Sequence, residues 1–433
     1  MILLTITLAM LAILSYYLNN RNLISPSVLF SVSFFSCALI ALFNKNKWNL
    51  NLNSKTYFLI SGSILEFILV SFIVKKVISS INFSNTGPTT TSSQVGGRVL
   101  TNTWGLLIVQ LCMVMYIIRD LREKTQVKNI FQAASILNQT SLPTYIGKPL
   151  SLSSLSNLFI AFIVASGLFT GFIFLRGLII DKNFKSDCFF NLLVSIIAPF
   201  LTGSRGNTIY ILIALIIFSY LILLAGNKLN LKNQKKFVFV ALIILVFVIY
   251  LLPVSANLLG RRMDDLSDYI GIYIGAQIKN LNDFIANNHV PLTTSIFGEQ
   301  TFFTIIPLIS KIFGLGIQPY KLNLPFQAVG FHSLGNVYTT FYPWLYDFGF
   351  IGVFVLTFIM SLICEIVYMA AMRKLKATNQ LKPTLSILLY GYLGSFIALS
   401  FFSNKFYEGI NSTLVYMIIS WIVLIQIFVK KEN

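Results

Sequence analysis

An arginine at the mouth of a long apolar run, in Gly203-Ser204-Arg205-Gly206, is the side chain whose type and position point most directly to chemistry. A charge beside hydrocarbon is costly and is kept where it does something. A guanidinium fork grips two anionic oxygens at once and stays charged at a dry interface. At the start of a helix it is joined by free backbone N–H groups and the positive end of the helix dipole. Arg261-Arg262, just after the apolar run 237–255, would meet an anionic headgroup at the same depth, and all three arginines also suit plain interfacial anchoring. Groups that can move protons are concentrated nearby in the chain. Segment 256–348 holds both histidines, His289 and His332, and six of the fourteen acids, namely Asp264, Asp265, Asp268, Asp283, Glu299 and Asp347. Asp264, Asp265 and Asp268 beside the arginine pair also have the spacing of a salt-bridged helix surface. Asp347 could deprotonate or orient a hydroxyl, or simply cap the helix that follows it. Glu66 stands alone inside an apolar run and has no evident partner in the sequence.

The elements that must position these groups are membrane helices. Of 433 residues, 56% are hydrophobic and 11% charged, and the mean hydropathy is +0.78. The apolar runs are continuous and long enough to cross a bilayer, and hydrocarbon offers no partner to free backbone groups, so the spans are predicted as helices and not barrel strands. The fold class is all-α, a polytopic membrane bundle of about 10–12 helices with one large external segment. Spans are placed near 1–19, 24–43, 56–74, 100–118, 154–176, 207–226, 237–255, 349–371, 384–402 and 411–429. Residues 1–19 lack a basic start and a small-residue cleavage pattern and are expected to be retained as a first helix. The run 188–202 is broken by Pro199 and short for a span, so it is expected to be re-entrant or shallow; if it crosses, the helix count rises to about twelve. Four regions follow: N-terminal helices with a cytoplasmic loop (1–150), central helices with the Gly-Ser-Arg-Gly motif (151–255), the external segment (256–348) and C-terminal helices (349–433).

Net charge is +18, which in a soluble protein would suggest nucleic acid. Here most lysines and arginines sit in short loops beside apolar runs, so cytoplasmic anchoring and anionic lipid account for them and no nucleic acid partner is expected. Four loops are assigned to the cytoplasm on this basis: Lys45, Lys47 and Lys55; Arg119, Arg122, Lys124 and Lys128; Lys228, Lys232, Lys235 and Lys236; Arg373, Lys374, Lys376 and Lys382. Lys430-Lys431 puts the C-terminus there, and both termini are then inside. Arg205 and segment 256–348 come out on the external face. A connection that long is usually functional or disordered, and its amphipathic stretches argue for order. Cys37, Cys112, Cys188 and Cys364 are scattered singly, which fits neither a disulfide nor a zinc site.

The order of several short motifs resembles bacterial O-antigen and capsule repeat-unit polymerases of the Wzy type. It runs from Gly203-Ser204-Arg205-Gly206 through Ile272-Tyr273-Ile274-Gly275, Asn280-Leu281-Asn282 and Phe297-Gly298-Glu299-Gln300-Thr301-Phe302. It continues with His332-Ser333-Leu334-Gly335-Asn336-Val337-Tyr338-Thr339 and Tyr346-Asp347-Phe348-Gly349-Phe350-Ile351-Gly352. The resemblance covers roughly residues 150–375. It implies a GT-C-like glycosyltransferase of the bacterial inner membrane that joins undecaprenyl-pyrophosphate-linked oligosaccharide repeat units on the periplasmic face, without metal or other cofactor. Its partners would be the lipid-linked oligosaccharide, membrane lipids, a chain-length co-polymerase and a flippase. Arg205, Arg261 and Arg262 would hold the pyrophosphate, His332 or Asp347 would act as base, and Asn336, Tyr338 and Tyr346 would contact glycan. Trp344, Tyr338, Tyr342 and Tyr346 could stack on sugar faces, although aromatics at this depth also form interfacial belts. An O-antigen ligase shares the loop, the arginines and the histidine, with the stretch Tyr346 to Gly352 favouring the polymerase. A flippase of lipid-linked repeat units has similar size and basicity, but the expected two related halves and short loops are not visible here.

Overall fold

The computed structural model of the chain describes residues 1–84, 102–140, 145, 150–203, 205–226, 228–229, 232–243, 266–317, 320, 322–330, 332–377 and 381–429. In chain order the helices are α1 (Ile2–Leu18), α2 (Pro26–Phe43), α3 (Ser54–Ser84), α4 (Trp104–Thr125), α5 (Ile130–Thr140), α6 (Ser154–Arg176), α7 (Ser186–Ile197), α8 (Arg205–Ala225) and α9 (232–243). There follow α10 (Leu266–Asn287), α11 (Ile305–Phe313), an antiparallel hairpin of β1 (Gln327–Val329) and β2 (His332–Gly335), α12 (Phe341–Ala377), α13 (Leu385–Ala398), α14 (Lys405–Gly409) and α15 (Ser412–Phe428). Among the described residues six helices are long and apolar enough to cross a membrane, and four shorter apolar helices accompany them. The protein is therefore a polytopic helical membrane protein, and the hairpin is a small departure from an all-α chain. Local chemistry sets several helix starts. Pro26 opens α2, where its missing N–H is not needed, and the Ser153 hydroxyl caps α6 by accepting the Ser156 N–H at 3.2 Å.

The chain divides into two compact units. The first comprises Met1–Gly87, Asp265–Met369 and Phe396–Asn411; the second comprises Pro88–Asp264, Ala370–Ser395 and Ser412–Asn433.

In the first unit α1, α2 and α3 pack on one another and α10 packs on α2. The aromatic core stacks Phe30 on Phe67 and Phe34 on Phe341, with ring centres 4.5 and 5.0 Å apart. Fully buried Trp344 donates its indole N–H to Asn404 Oδ1 at 2.9 Å, so it belongs to this core and not to an interfacial belt. One end of the unit gathers the loop after α2, the C-terminal half of α10 and the start of α12. The Asn53 N–H donates to Asn282 Oδ1 at 2.7 Å, Asn282 Nδ2 to the Asn51 carbonyl at 3.0 Å, and the Thr340 N–H to the Ser400 carbonyl at 2.9 Å. The α1–α2 turn lies at the other end, where Asn22 Nδ2 donates to the Tyr368 hydroxyl at 2.7 Å. The expectation that Lys45, Lys47 and Lys55 lie across the membrane from the large segment is therefore corrected. Their loop is hydrogen-bonded to that segment, and its lysines decorate the same face.

The second unit is organised around the largely buried α6. Near one end the Asp187 carboxylate accepts from the Thr103 N–H at 2.7 Å and from its hydroxyl at 3.0 Å. At mid-height Gln110 Nε2 donates to the Ser166 and Ser195 hydroxyls. Near the other end Asp120 accepts from the Ser153 N–H and the Ser156 hydroxyl. These pairings run α4 and α7 parallel to each other and antiparallel to α6. The segment expected to be short for a span is, with its final turn Ala198–Thr202, an apolar helix shorter than its neighbours and packed alongside α4 and α6. Pro199 falls in that terminal 3-10 turn, where it breaks nothing. A second correction follows from α8. It starts beside α7, where the Thr208 hydroxyl donates to the Ile196 carbonyl, and ends where Lys228 Nζ donates to the Ile179 carbonyl at 2.8 Å. The loops after α4 and after α8 therefore lie at opposite ends of the unit and cannot share one side of a membrane, as the lysine and arginine pattern had suggested.

Candidate functional site

The first unit carries a cleft of about 170 Å³ at the end where α10, the hairpin and the start of α12 meet. It is lined by Asp283, Phe284, Asn287, Asn288, Leu292, Asn323, Pro325, Gln327, Tyr338, Tyr342 and Tyr346. Its walls are built in two steps. Asn280, one turn before Asp283 on α10, donates from Nδ2 to the Val337 carbonyl at 2.7 Å and so fixes the backbone next to Tyr338. Tyr338 and Tyr342 then lie with ring centres 4.1 Å apart, and Phe284 sits 4.6 Å from Tyr342 and stacks nearly parallel to Tyr346 at 7°.

The hydroxyls and amides at the rim hold one another. Tyr338 donates to the Pro325 carbonyl at 3.0 Å and accepts from Gln327 Nε2 at 3.0 Å. Tyr342 donates to the Asn323 carbonyl at 2.8 Å, and Asn323 Nδ2 donates to the Tyr346 hydroxyl at 3.1 Å. Burial, outweighing the Gln327 bond, pushes the Tyr338 phenol up from its ordinary range and keeps it a neutral donor. Asp283 is the one charged residue on the wall, and its carboxylate is bridged by Lys279 Nζ at 2.8 Å. Aromatic faces with amide, hydroxyl and carboxylate groups between them can stack on C–H faces and bond hydroxyls, which is the chemistry of a polar, ring-shaped ligand.

Of the residues expected to contact glycan, Tyr338 and Tyr346 line this cleft together. Asn336 lies two residues before Tyr338, half-buried, and is not on its wall. His332 is exposed on β2, paired across the hairpin with Val329, and also lies off the wall. Asp347 turns away from it. Its carboxylate accepts the Thr301 N–H at 2.6 Å and the Gln300 N–H at 3.0 Å, so it holds the 298–302 turn and does not cap the helix after it. Gln300 passes the restraint on, because its Oε1 accepts the Asn323 N–H at 2.7 Å. Tyr320, near Glu299 and Asp347, has its phenol pushed up to about 12 by burial first and then by those two carboxylates. Two residues beyond Asp347, α12 kinks at Gly349, where φ is 66° and a Cβ would stand 3.0 Å from Pro291 Cδ, so only glycine fits.

In the second unit Arg205 is the first residue of α8, half-buried. The preceding Gly203 has φ 76°, and a Cβ there would stand 3.0 Å from the Ala134 carbonyl oxygen of α5. The turn that presents Arg205 is therefore packed on α5, a helix that the sequence reading left inside a loop. Arg261, Arg262, Asp264 and Asp265 lie outside the described residues, as does the Asp268 side chain. The four cysteines are all free thiols.

Sequence reasoning missed the α10 wall, although Asn280, Asp283 and Asn287 recur at three- and four-residue spacing on one helix face. It also passed over Glu365 on α12. This residue is fully buried, and neither carboxylate oxygen has a hydrogen-bond partner among the described residues; Glu66 Oε2 on α3 is likewise buried and unbonded. Compared with known proteins, the chain matches no family model, no curated protein and no solved structure.

Proposed function

We propose that the chain is a GT-C-like membrane glycosyltransferase that joins oligosaccharide repeat units carried on undecaprenyl pyrophosphate, as an O-antigen or capsule polymerase of the bacterial inner membrane acting on its periplasmic face. The observation that carries this reading is the aromatic and amide cleft built on α10 and α12, whose chemistry suits a sugar. Support also comes from Arg205 at the first turn of α8, where a guanidinium, free N–H groups and the helix dipole favour a phosphate together.

The reaction forms one bond and breaks one. An acceptor hydroxyl attacks the anomeric carbon of the donor glycan, the bond from that carbon to the pyrophosphate oxygen breaks, and undecaprenyl pyrophosphate leaves with the electron pair. The hydroxyl proton goes to a base. His332, exposed on the hairpin whose Gln327 lines the cleft, is assigned that role. Arg205, with Arg261 and Arg262, balances the charge on the departing diphosphate. Asp347 is assigned to holding the turn behind Asn323.

Deleting the gene in a strain of known repeat unit tests the proposal. A polymerase leaves single repeats attached to their final acceptor. A ligase would instead strand full polymer on its lipid, and a flippase would abolish surface glycan, and either result rejects the assignment.

A further inference from the structure

Helix α11 exposes an apolar face among the described residues. Ile309, Ile312 and Phe313 stand at i, i+3 and i+4 with relative exposures of 41%, 66% and 71%, and Leu315 extends the face at 57% after Gly314 ends the helix. Ser310, at the flank of this face, is buried, and its hydroxyl accepts the Ile317 N–H at 3.1 Å.

The position of this helix decides what covers it. At its N-terminal end the Thr304 hydroxyl donates to the Glu408 carbonyl at 3.0 Å, and Phe302 packs on Tyr407 with ring centres 5.6 Å apart. Residues 404–411 lead straight into the apolar helix α15, so α11 is moored to the segment that precedes an apolar helix. Nine residues rise only about 13 Å, less than half the hydrocarbon thickness, so α11 is too short to cross a bilayer. Lys311 is exposed on the side of the helix away from the apolar face, where its ammonium would meet headgroups and water.

We infer that α11 is an interfacial helix whose Ile309, Ile312 and Phe313 face enters the bilayer that the protein spans, at the boundary between headgroups and acyl chains. The consequence reaches the cleft. The strand of chain leading into α11 contains Thr301 and Gln300, both held by Asp347, so lipid contact on α11 fixes the height of the cleft rim above the membrane. This inference stands apart from the proposed activity and holds whatever the cleft binds.

Cys37, Cys188 and Cys364 are buried and Cys112 is exposed, so a Cys112→Ser background gives a full chain in which introduced thiols can be labelled. Nitroxides at Ile312→Cys, Phe313→Cys and Lys311→Cys would be compared in vesicles of phosphatidylcholine and phosphatidylglycerol. Oxygen, which partitions into lipid, should relax the labels at 312 and 313 more strongly than a water-soluble nickel chelate, with the order reversed at 311. Nickel-dominated relaxation at all three positions would put the face in water. Immobile labels shielded from both reagents would show that protein covers it, a second copy included. Either outcome overturns the inference.

Discussion

Replacing Asp347 by asparagine separates a residue that holds the site together from one that does chemistry. The carboxylate takes two backbone N–H groups, from Thr301 at 2.6 Å and Gln300 at 3.0 Å. Gln300 in turn accepts the Asn323 N–H, and Asn323 binds Tyr346 and Tyr342 on the cleft wall. A hydrogen bond to a charged group contributes about 1.5–3 kcal/mol. Both N–H groups converge on Oδ2, so asparagine can keep the acceptor oxygen in place but gives up its charge, and the loss should be about 1.5 kcal/mol. That loss loosens the wall and weakens substrate binding by about tenfold, since 1.4 kcal/mol is a factor of ten. The assay is steady-state kinetics of purified enzyme on lipid-linked repeat unit. KM should rise about tenfold while kcat stays within about threefold, the pattern of lost uniform binding. Asp347→Ala, which removes both acceptors, should raise KM further and lower thermal stability. A kcat reduced about 10²–10⁴-fold at unchanged KM would instead make Asp347 the proton acceptor and refute its assignment to the turn.

The remaining expectations follow from the same geometry. Arg205→Ala should lower turnover roughly ten- to a hundredfold with normal membrane levels, and Arg205→Lys should recover little of it, because a point charge does not replace a fork; a fully active alanine variant would leave Arg205 an anchor. His332→Ala should still bind lipid-linked repeat unit but turn over about 10²–10⁴-fold more slowly, whereas unchanged turnover would remove His332 from proton transfer. In the Cys112→Ser background, an impermeant thiol reagent should treat Asn46→Cys and Asn288→Cys alike and Arg21→Cys oppositely, and should separate Lys128→Cys from Lys182→Cys. Labelling of Asn46→Cys and Asn288→Cys from opposite sides would break the hydrogen-bonded end described for the first unit.

What the sequence disclosed was hydrophobic length. The runs that became α2, α3, α4, α6, α8 and α12 are long and uninterrupted, and composition alone identifies such spans. The shortness of the run that became α7 was legible too, but its path was not, because Asp187 and Ser195 set it through partners at the start of α4, within α4 and on α6. Loop charge misled for a related reason. Lys45 and Lys47 look like cytoplasmic anchors, yet their loop is tied to α10 through Asn282, and a lysine count does not register such a contact. Tyr338 and Tyr346 were legible as candidate sugar contacts by residue type. Asn323 and Gln327 were not, because their roles depend on a chain path that returns to α12 from more than ten residues away. Asp347 drew notice for its position before an apolar run, while its real partners, Gln300 and Thr301, lie nearly fifty residues earlier.

The most direct measurement supplies the purified, vesicle-reconstituted protein with a defined undecaprenyl-pyrophosphate-linked repeat unit and no other enzyme, and resolves the products by size. The account expects lipid-linked oligomers of two or more repeats, release of undecaprenyl pyrophosphate in step with each new linkage, and loss of both when Arg205 is replaced by alanine. Repeat units that remain single while crossing the vesicle membrane, or that stay unchanged by an intact, correctly folded protein, would contradict it.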